Sequence, residues 1–175
     1  MKILETERLL LRHQVPEDLD SLWALYCDPE ITKYIPDAPR SRLEAKEELE
    51  WFMHGHPKHP ELGLWATILK ASGKFIGRCG LLPWSIEGTD EVEVAYTLAR
   101  DYWGQGLATE AARGIVRYAF EKLGLMRLIC LPDRENEASI KVATAIGMAF
   151  EKEGRDDKGT FLIYSMSRQP GVSGK

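Results

Sequence analysis

Residues 103–111 read Trp103-Gly104-Gln105-Gly106-Leu107-Ala108-Thr109-Glu110-Ala111, a glycine-bearing turn that runs into an amphipathic helix. Such a turn can hold an anion. Unpaired N–H groups at the helix start point outward, and the helix dipole adds attraction. Gly104 and Gly106 let the backbone approach a pyrophosphate with no Cβ in the way. Ala108 is small for the same reason, and the Thr109 hydroxyl can reach a further phosphate oxygen. A Gly-x-Gly pair alone is a weak signal, equally compatible with a turn that binds nothing. The nucleotide alternatives fit worse. No Gly-Lys-Ser/Thr follows as in a P-loop, and there is no third glycine for a dinucleotide fingerprint. The helix also comes after several strands instead of opening the chain, unlike a Rossmann domain.

The elements around this loop can be read from periodicity. Arg8–Arg12 is a strand. Pro16-Glu17-Asp18 opens a helix, with proline in its first turn and acids at its positive end. Leu19, Leu22, Trp23 and Tyr26 form its buried face. A second helix starts at Ser41, with Glu44 three residues on in a capping-box pattern, and runs to Phe52. Leu64–Leu69 and Lys74–Leu82 make a hairpin about Ala71-Ser72-Gly73. Glu91–Leu98 is a strand leading to the loop. The following helix spans Leu107–Leu123, and Gly124 stops it. Arg127–Leu131 is a strand, Asn136–Ile146 a short helix, and Met148–Glu153 and Thr160–Met166 two last strands. Hairpins dominate, but the strand–helix–strand unit around the loop demands a parallel pair. The fold class is a mixed α/β sheet in one domain, residues 1–168, with a tail at 169–175.

The chain has 175 residues, enough for one sizeable core. Its 44% hydrophobic and 29% charged residues are an ordinary soluble balance. A net charge of −4 argues against a nucleic-acid binder, though it permits a local basic patch. No apolar run is long enough to span a membrane. Charges interrupt the first residues, so no signal peptide is expected and a cytoplasmic location is. Cys27, Cys79 and Cys130 are odd in number and far apart, and read as buried free thiols. His54-Gly-His56-Pro-Lys-His59 matches no zinc spacing and reads as an exposed loop, so no metal is expected.

Four segments, in order, resemble one family. They are Thr6-Glu7-Arg8-Leu9-Leu10-Leu11-Arg12 with Glu17-Asp18; Asp28-Pro29-Glu30-Ile31; Glu93–Leu98 with Tyr102–Ala111; and Asn136-Glu137-Ala138-Ser139 with Gly147-Met148-Ala149-Phe150. The chain resembles the GNAT superfamily, in particular the branch that includes the ribosomal-protein N-terminal acetyltransferases. The resemblance implies a central twisted, mostly antiparallel sheet with one splayed parallel pair, here Glu91–Leu98 and Arg127–Leu131. Acetyl-CoA would lie between those strands. Backbone groups at Tyr96 and Leu98 would pair with its pantetheine arm, and an N–H there would polarise the thioester carbonyl. Its phosphates would sit on Gly104, Gln105, Gly106, Leu107, Ala108 and Thr109. The family's phosphate pattern is Gln/Arg-x-x-Gly-x-Gly/Ala, and Trp103 departs from it at the first position. A tryptophan supplies no guanidinium or amide to a phosphate. Backbone N–H groups would then carry the grip, with Trp103 packed against cofactor or core. Arg100, Arg113, Arg134 and Lys141 lie near the motifs and could neutralise phosphate, although each also reads as a surface charge.

The implied chemistry is direct attack of an amine on the thioester. Deprotonating an α-amine at pH 7 costs about 1.4 kcal/mol and a lysine amine about 4.6 kcal/mol, so an N-terminal acceptor needs only a weak base. Glu93 is the candidate and Glu91, on the same side of the pleat, the runner-up. Both also read as solvated strand-edge charges. Many family members use a tyrosine as acid where this chain has Ala143. In the branch resembled, a serine three residues after the asparagine is the proposed substitute, here Ser139, which could equally cap its helix. Asn136 would orient the pantetheine or act as a cap. The acceptor groove falls between Thr32–Trp51 and the Pro83–Asp90 loop, with Trp51, Trp65, Trp84 and Tyr34 as an aromatic wall. Glu44, Glu47, Glu48 and Glu50 would suit a polyamine but also read as a solvated helix face. The function implied is acetyl-CoA-dependent N-acetylation of a primary amine, foremost a protein N-terminus. Acetylation of a small-molecule amine is the alternative, and a non-catalytic acyl-CoA-binding module a third reading. A monomer or homodimer is expected, with neither nucleic acid nor membrane as partner.

Overall fold

The computed structural model describes residues 1–170. Its centre is the hairpin of β4 (Lys74–Ile86) and β5 (Thr89–Leu98). Glu87 and Gly88 connect the two strands with φ of 52° and 80°, the backbone that a two-residue hairpin turn requires. The segment 83–90 is thus mostly paired strand rather than the loop the sequence suggested. Around this hairpin lie β1 (Lys2–Glu5), β2 (Leu9–Arg12), β3 (Gly63–Leu69), β6 (Arg127–Cys130), β7 (Ala149–Asp156) and β8 (Gly159–Ser167). They form an eight-stranded sheet in the order β1-β2-β3-β4-β5-β6-β8-β7. Every neighbouring pair is antiparallel except β5 and β6, which run parallel and register only at Glu93 and Ile129. A parallel step needs a crossover. The helix α4 (Leu107–Glu121) supplies it.

Helices cover both faces. On one, α4 and α5 (Glu137–Ala145) bury Leu107, Ala111, Ala112, Ile115, Ala119 and Ala143 against Cys79, Leu81, Val94 and Leu128. Gly114 lets α4 lie close to the first strand, since a Cβ there would come within 2.9 Å of the Thr6 methyl. On the other face, α1 (Leu19–Tyr26), α2 (Pro29–Thr32) and α3 (Arg42–Phe52) enclose Leu22, Leu25, Tyr26, Ile31, Ala45 and Leu49. Among the described residues, no helix is long and apolar enough to cross a membrane.

Several details depart from the sequence reading. The strand β1 was not foreseen, because four residues with charged ends carry little pattern. Pro16–Asp18 forms a separate 3₁₀ turn, and α1 begins at Leu19. At α3, the Ser41 hydroxyl accepts from Glu44 N at 3.1 Å as expected, but the Glu44 carboxylate accepts from Arg40 N instead of Ser41 N. Cys79 and Cys130 are buried, whereas Cys27, at the end of α1, is exposed. Trp65 is 1% exposed and packs edge-on against Tyr118 at 5.7 Å, so it belongs to the core and not to a groove wall. His56 Nδ1 accepts from Lys58 N at 3.2 Å within its own loop. No three His, Cys, Asp or Glu side chains converge as metal ligands among the described residues. The expected tail falls largely outside the described residues.

Candidate active site

The parallel pair opens into a cleft. Ala99 N donates to Ile76 O at 2.7 Å, so the alternation of an antiparallel ladder turns Thr97 and Ala95 towards β4 and the N–H and C=O of Leu98, Tyr96 and Val94 away from it. Val94 O accepts from Cys130 Sγ at 3.4 Å, at the point where β6 ends. Beyond it the edge of β5 faces a cleft of about 1850 Å³, lined by Tyr96, Leu98, Trp103, Gly104, Gly106, Leu107, Ala108, Thr109, Asn136 and Ser139. The structure thus brings together every site residue read from the sequence except Gln105. That side chain turns back, and its amide Nε2 donates to Asp101 O at 3.1 Å.

Gly104 and Gly106 take φ of 73° and 75°, a left-handed backbone that glycine adopts without strain. Gly106 is the N-cap of α4 and offers no side chain to its first turn. Six successive N–H groups, Gly104 to Thr109, find no acceptor among the described residues. Arg8 holds the loop from behind. Its Nη1 donates to Gln105 O at 3.0 Å, and its Nε donates to the Glu110 carboxylate at 3.0 Å. Sequence reading missed this role, because nothing local to Arg8 points to a contact about a hundred residues away. Trp103 donates from Nε1 to Leu98 O at 2.8 Å and bridges the loop to the edge of β5. That carbonyl is therefore occupied, which leaves Leu98 N–H and both backbone groups of Tyr96 for a bound chain. Three of the four cations near the motifs have partners. Arg100 pairs with Asp28, Arg113 donates to Ala145 O at 3.1 Å, and Arg134 pairs with Glu153. Lys141 lines the cleft without such a partner among the described residues.

At the start of α5, Asn136 is the cap, since its Oδ1 accepts from Ser139 N at 3.2 Å. The Ser139 hydroxyl is thereby free of capping. It lies 3.2 Å from the Tyr96 hydroxyl, which donates its own proton to Ser139 O at 2.8 Å. Burial pushes the Tyr96 phenol far above its ordinary pKa, so it stays neutral. Ala143 is fully buried, and no acid occupies its place.

The carboxylates lie on the opposite face of the β4–β5 hairpin. Leu82 pairs with Glu93 and Trp84 with Glu91, and both glutamates project to one side. Glu91 is held by Arg127 at 2.9 Å, and Arg127 also binds Glu151 at 2.8 Å. Its lone pairs are committed to that ion pair. Glu93 instead accepts one hydrogen bond, from Trp84 Nε1 at 2.7 Å. Burial pushes its pKa up to about 7, against the opposing pull of that bond and of the Arg78 charge. Nearby, Arg78 Nε donates to the Tyr26 hydroxyl at 2.6 Å, which donates to Glu48 at 2.5 Å. Glu48 is thus no solvated helix-face charge. Tyr34, Trp51 and Trp84 line this half of the cleft, as expected. The β7–β8 turn, unforeseen as a wall, reaches over it through an ion pair of Lys158 with Asp37 at 2.9 Å. Tyr34 adds a second strap, donating to Glu135 O at 3.3 Å.

The comparisons with known proteins agree with this geometry. The acetyltransferase (GNAT) domain family matches residues 8–149. The chain is 33% identical over 162 residues to Bacillus subtilis YkkB, covering 92% of this chain and 93% of that one. It is 34% identical to the FsC-acetyl coenzyme A-N(2)-transacetylase of Aspergillus fumigatus, covering 83% of this chain and 64% of the relative. The ribosomal-protein-S5-alanine acetyltransferase of Vibrio fischeri shares the fold with a TM-score of 0.78 at 19% identity, over 97% of this chain and 98% of the other. With a splayed strand pair, a glycine loop of unpaired N–H groups and a family match across most of its length, the chain belongs to the GNAT acetyltransferases.

Proposed function

We propose that this protein transfers the acetyl group of acetyl-CoA to the α-amine of a peptide or protein N-terminus in the cytoplasm. The observation that carries the reading is the meeting of three features in one cleft: the unpaired edge of β5, the six free N–H groups of the loop, and Glu93 poised near neutrality. The backbone from Gly104 to Thr109 receives the phosphates. The free backbone groups of Tyr96 and Leu98 pair with the pantetheine arm, and one N–H there stabilises the charge that develops on the thioester oxygen. Glu93 takes a proton from the acceptor amine, directly or through water. As the C–N bond forms and the C–S bond breaks, the Ser139 hydroxyl hands a proton to the departing thiolate and takes one from solvent, and Asn136 fixes the turn that carries it.

The resemblance to N-terminal acetyltransferases favours a peptide acceptor, and an α-amine suits a base as weak as Glu93. The Aspergillus fumigatus relative supports a second reading, a small-molecule amine. An acceptor screen tests both. Acetyl-CoA is paired with N-terminal peptides, polyamines and aminoglycosides, and thiol release is followed. Peptides are expected to turn over fastest. A polyamine or aminoglycoside that outpaces every peptide would replace the acceptor assignment. Failure of acetyl-CoA to bind by calorimetry, or its displacement by ATP, would remove the site assignment itself. Cys27, the exposed thiol, is the one to block before thiol reagents are used.

A further inference from the structure

The buried guanidinium of Arg78 has no place in the transfer just described. Arg78 is 6% exposed and sits on β4, opposite Thr97, on the same face of the hairpin as Glu93. Its Nε is spent on the Tyr26 hydroxyl. Glu48 comes no nearer than 3.9 Å and is itself engaged by Tyr26. Neither Nη1 nor Nη2 has an acceptor among the described residues. Neither is sealed from solvent, and the residue lines the cleft. A buried guanidinium normally has its donors satisfied, because leaving them unpaired is costly. Its planar fork is suited to a carboxylate or a carbonyl oxygen.

We infer that Arg78 is an acceptor-binding residue, and that the amine this protein acetylates carries a carbonyl or carboxylate oxygen that the free Nη groups bind. This rests on the proposed acetyl transfer and narrows its acceptor. Four strand positions, about 13 Å of backbone, separate the level of Arg78 from that of Leu82, the partner of Glu93. Side chains of this length can shorten that gap to the length of an amino acid or the first residues of a peptide. The Arg78 charge is also felt at the Glu93 carboxyl, which places the two heads in one electrostatic neighbourhood. A fixed cation at this depth selects against a second cation on the acceptor, so polyamines are disfavoured. A free amino acid's carboxylate and a peptide's carbonyl present the same chemistry, and only the acceptor series separates them.

The test compares kcat/KM for a free dipeptide, its C-amidated form, an alkylamine of matched size and spermidine, in wild type and in Arg78→Gln. Both peptide forms are expected to exceed the alkylamine and spermidine at least tenfold. A further gap between the free and amidated forms assigns the oxygen to a carboxylate, and equal rates assign it to a carbonyl. Arg78→Gln should erase the preference through KM and leave the acetyl-CoA Kd unchanged; the lost charge also raises the Glu93 carboxyl pKa and slows every acceptor alike, so the readout is the ratio between acceptors. Arg78→Lys keeps the charge without the fork, and should fold and retain part of the preference if the glutamine variant does not fold. Spermidine or the alkylamine matching the peptides in wild type, or equal losses on all acceptors in the variants, would overturn the assignment. Calorimetry with the N-acetylated dipeptide separates this inference from the transfer reading. Binding that weakens in Arg78→Lys while no amine is turned over supports the Arg78 site and rejects the transfer. Turnover of amines with Arg78-independent product binding does the reverse.

Discussion

The Arg8 guanidinium and the Glu110 carboxylate lie 3.0 Å apart across 102 residues of chain, and the same guanidinium holds the carbonyl of Gln105. The β1–β2 turn is thereby fastened to the back of the loop whose N–H groups face the cleft. Arg8 is partly exposed, so the pair itself contributes at most about 1 kcal/mol to the fold. Its effect on the loop is more specific. Arg8→Ala is expected to raise the acetyl-CoA Kd about fivefold, the equivalent of about 1 kcal/mol, with kcat unchanged. Calorimetry and steady-state kinetics together check this. A fall in kcat with unchanged affinity would assign Arg8 to chemistry instead.

Gly106→Pro should abolish acetyl-CoA binding, because it removes one N–H and cannot adopt a φ of 75°. Gly106→Ala is milder. An added Cβ would meet nothing nearer than Arg8 Nη2 at 3.6 Å, so only the left-handed backbone costs, about 1–2 kcal/mol. Calorimetry should show the cofactor affinity of the alanine variant falling by roughly that amount.

As the proposed base, Glu93 should govern the pH dependence. The acidic limb of kcat/KM is expected at about 7, the pKa to which burial raises the carboxyl. Glu93→Gln should lower the rate about 100-fold and leave only the limb of the amine itself, near about 8. A raised carboxyl pKa also weighs against folding as pH increases. The penalty is absent below about 4.5, where both states are protonated, grows up to about 7, and is constant above. The glutamine variant should therefore unfold at a higher temperature than wild type at about pH 8.5, with the gap narrowing towards about pH 5. Thermal melts at the two values decide it.

Ser139→Ala should lower turnover about tenfold at most, since a thiolate is already a fair leaving group, while the acetyl-CoA Kd holds. Tyr96→Phe removes the donor that pins Ser139 O, so its effect should not add to that of Ser139→Ala. Single-turnover rates of the two variants and the double variant measure the coupling. Full activity in Ser139→Ala, with chemistry shown to limit the rate, would leave Ser139 without a role in proton transfer.

The sequence made most of this frame legible where the cue was local. A proline and acids opened one helix, a serine capped another, and glycines marked the loop. The strand β1 was lost, because Ile3 and Leu4 are its only apolar residues. Side-chain commitments were hidden for a different reason: they depend on partners on other elements. Glu91 and Glu93 look alike as residues, yet Arg127 from β6 holds the first and Trp84 from β4 the second. Likewise nothing near Arg78 in sequence announces that Tyr26 and Glu48 enclose it. Trp103 was denied a phosphate contact on chemical grounds, but its bond to Leu98 O required the fold.

The six free N–H groups between Gly104 and Thr109 have a consequence for mutational surveys. A grip made of peptide groups is written in no side chain. Alanine scanning of Gln105 or Thr109 would leave it in place and report the loop as dispensable, and drift at those positions would do the same over evolutionary time. Only changes that bend the main chain would expose it.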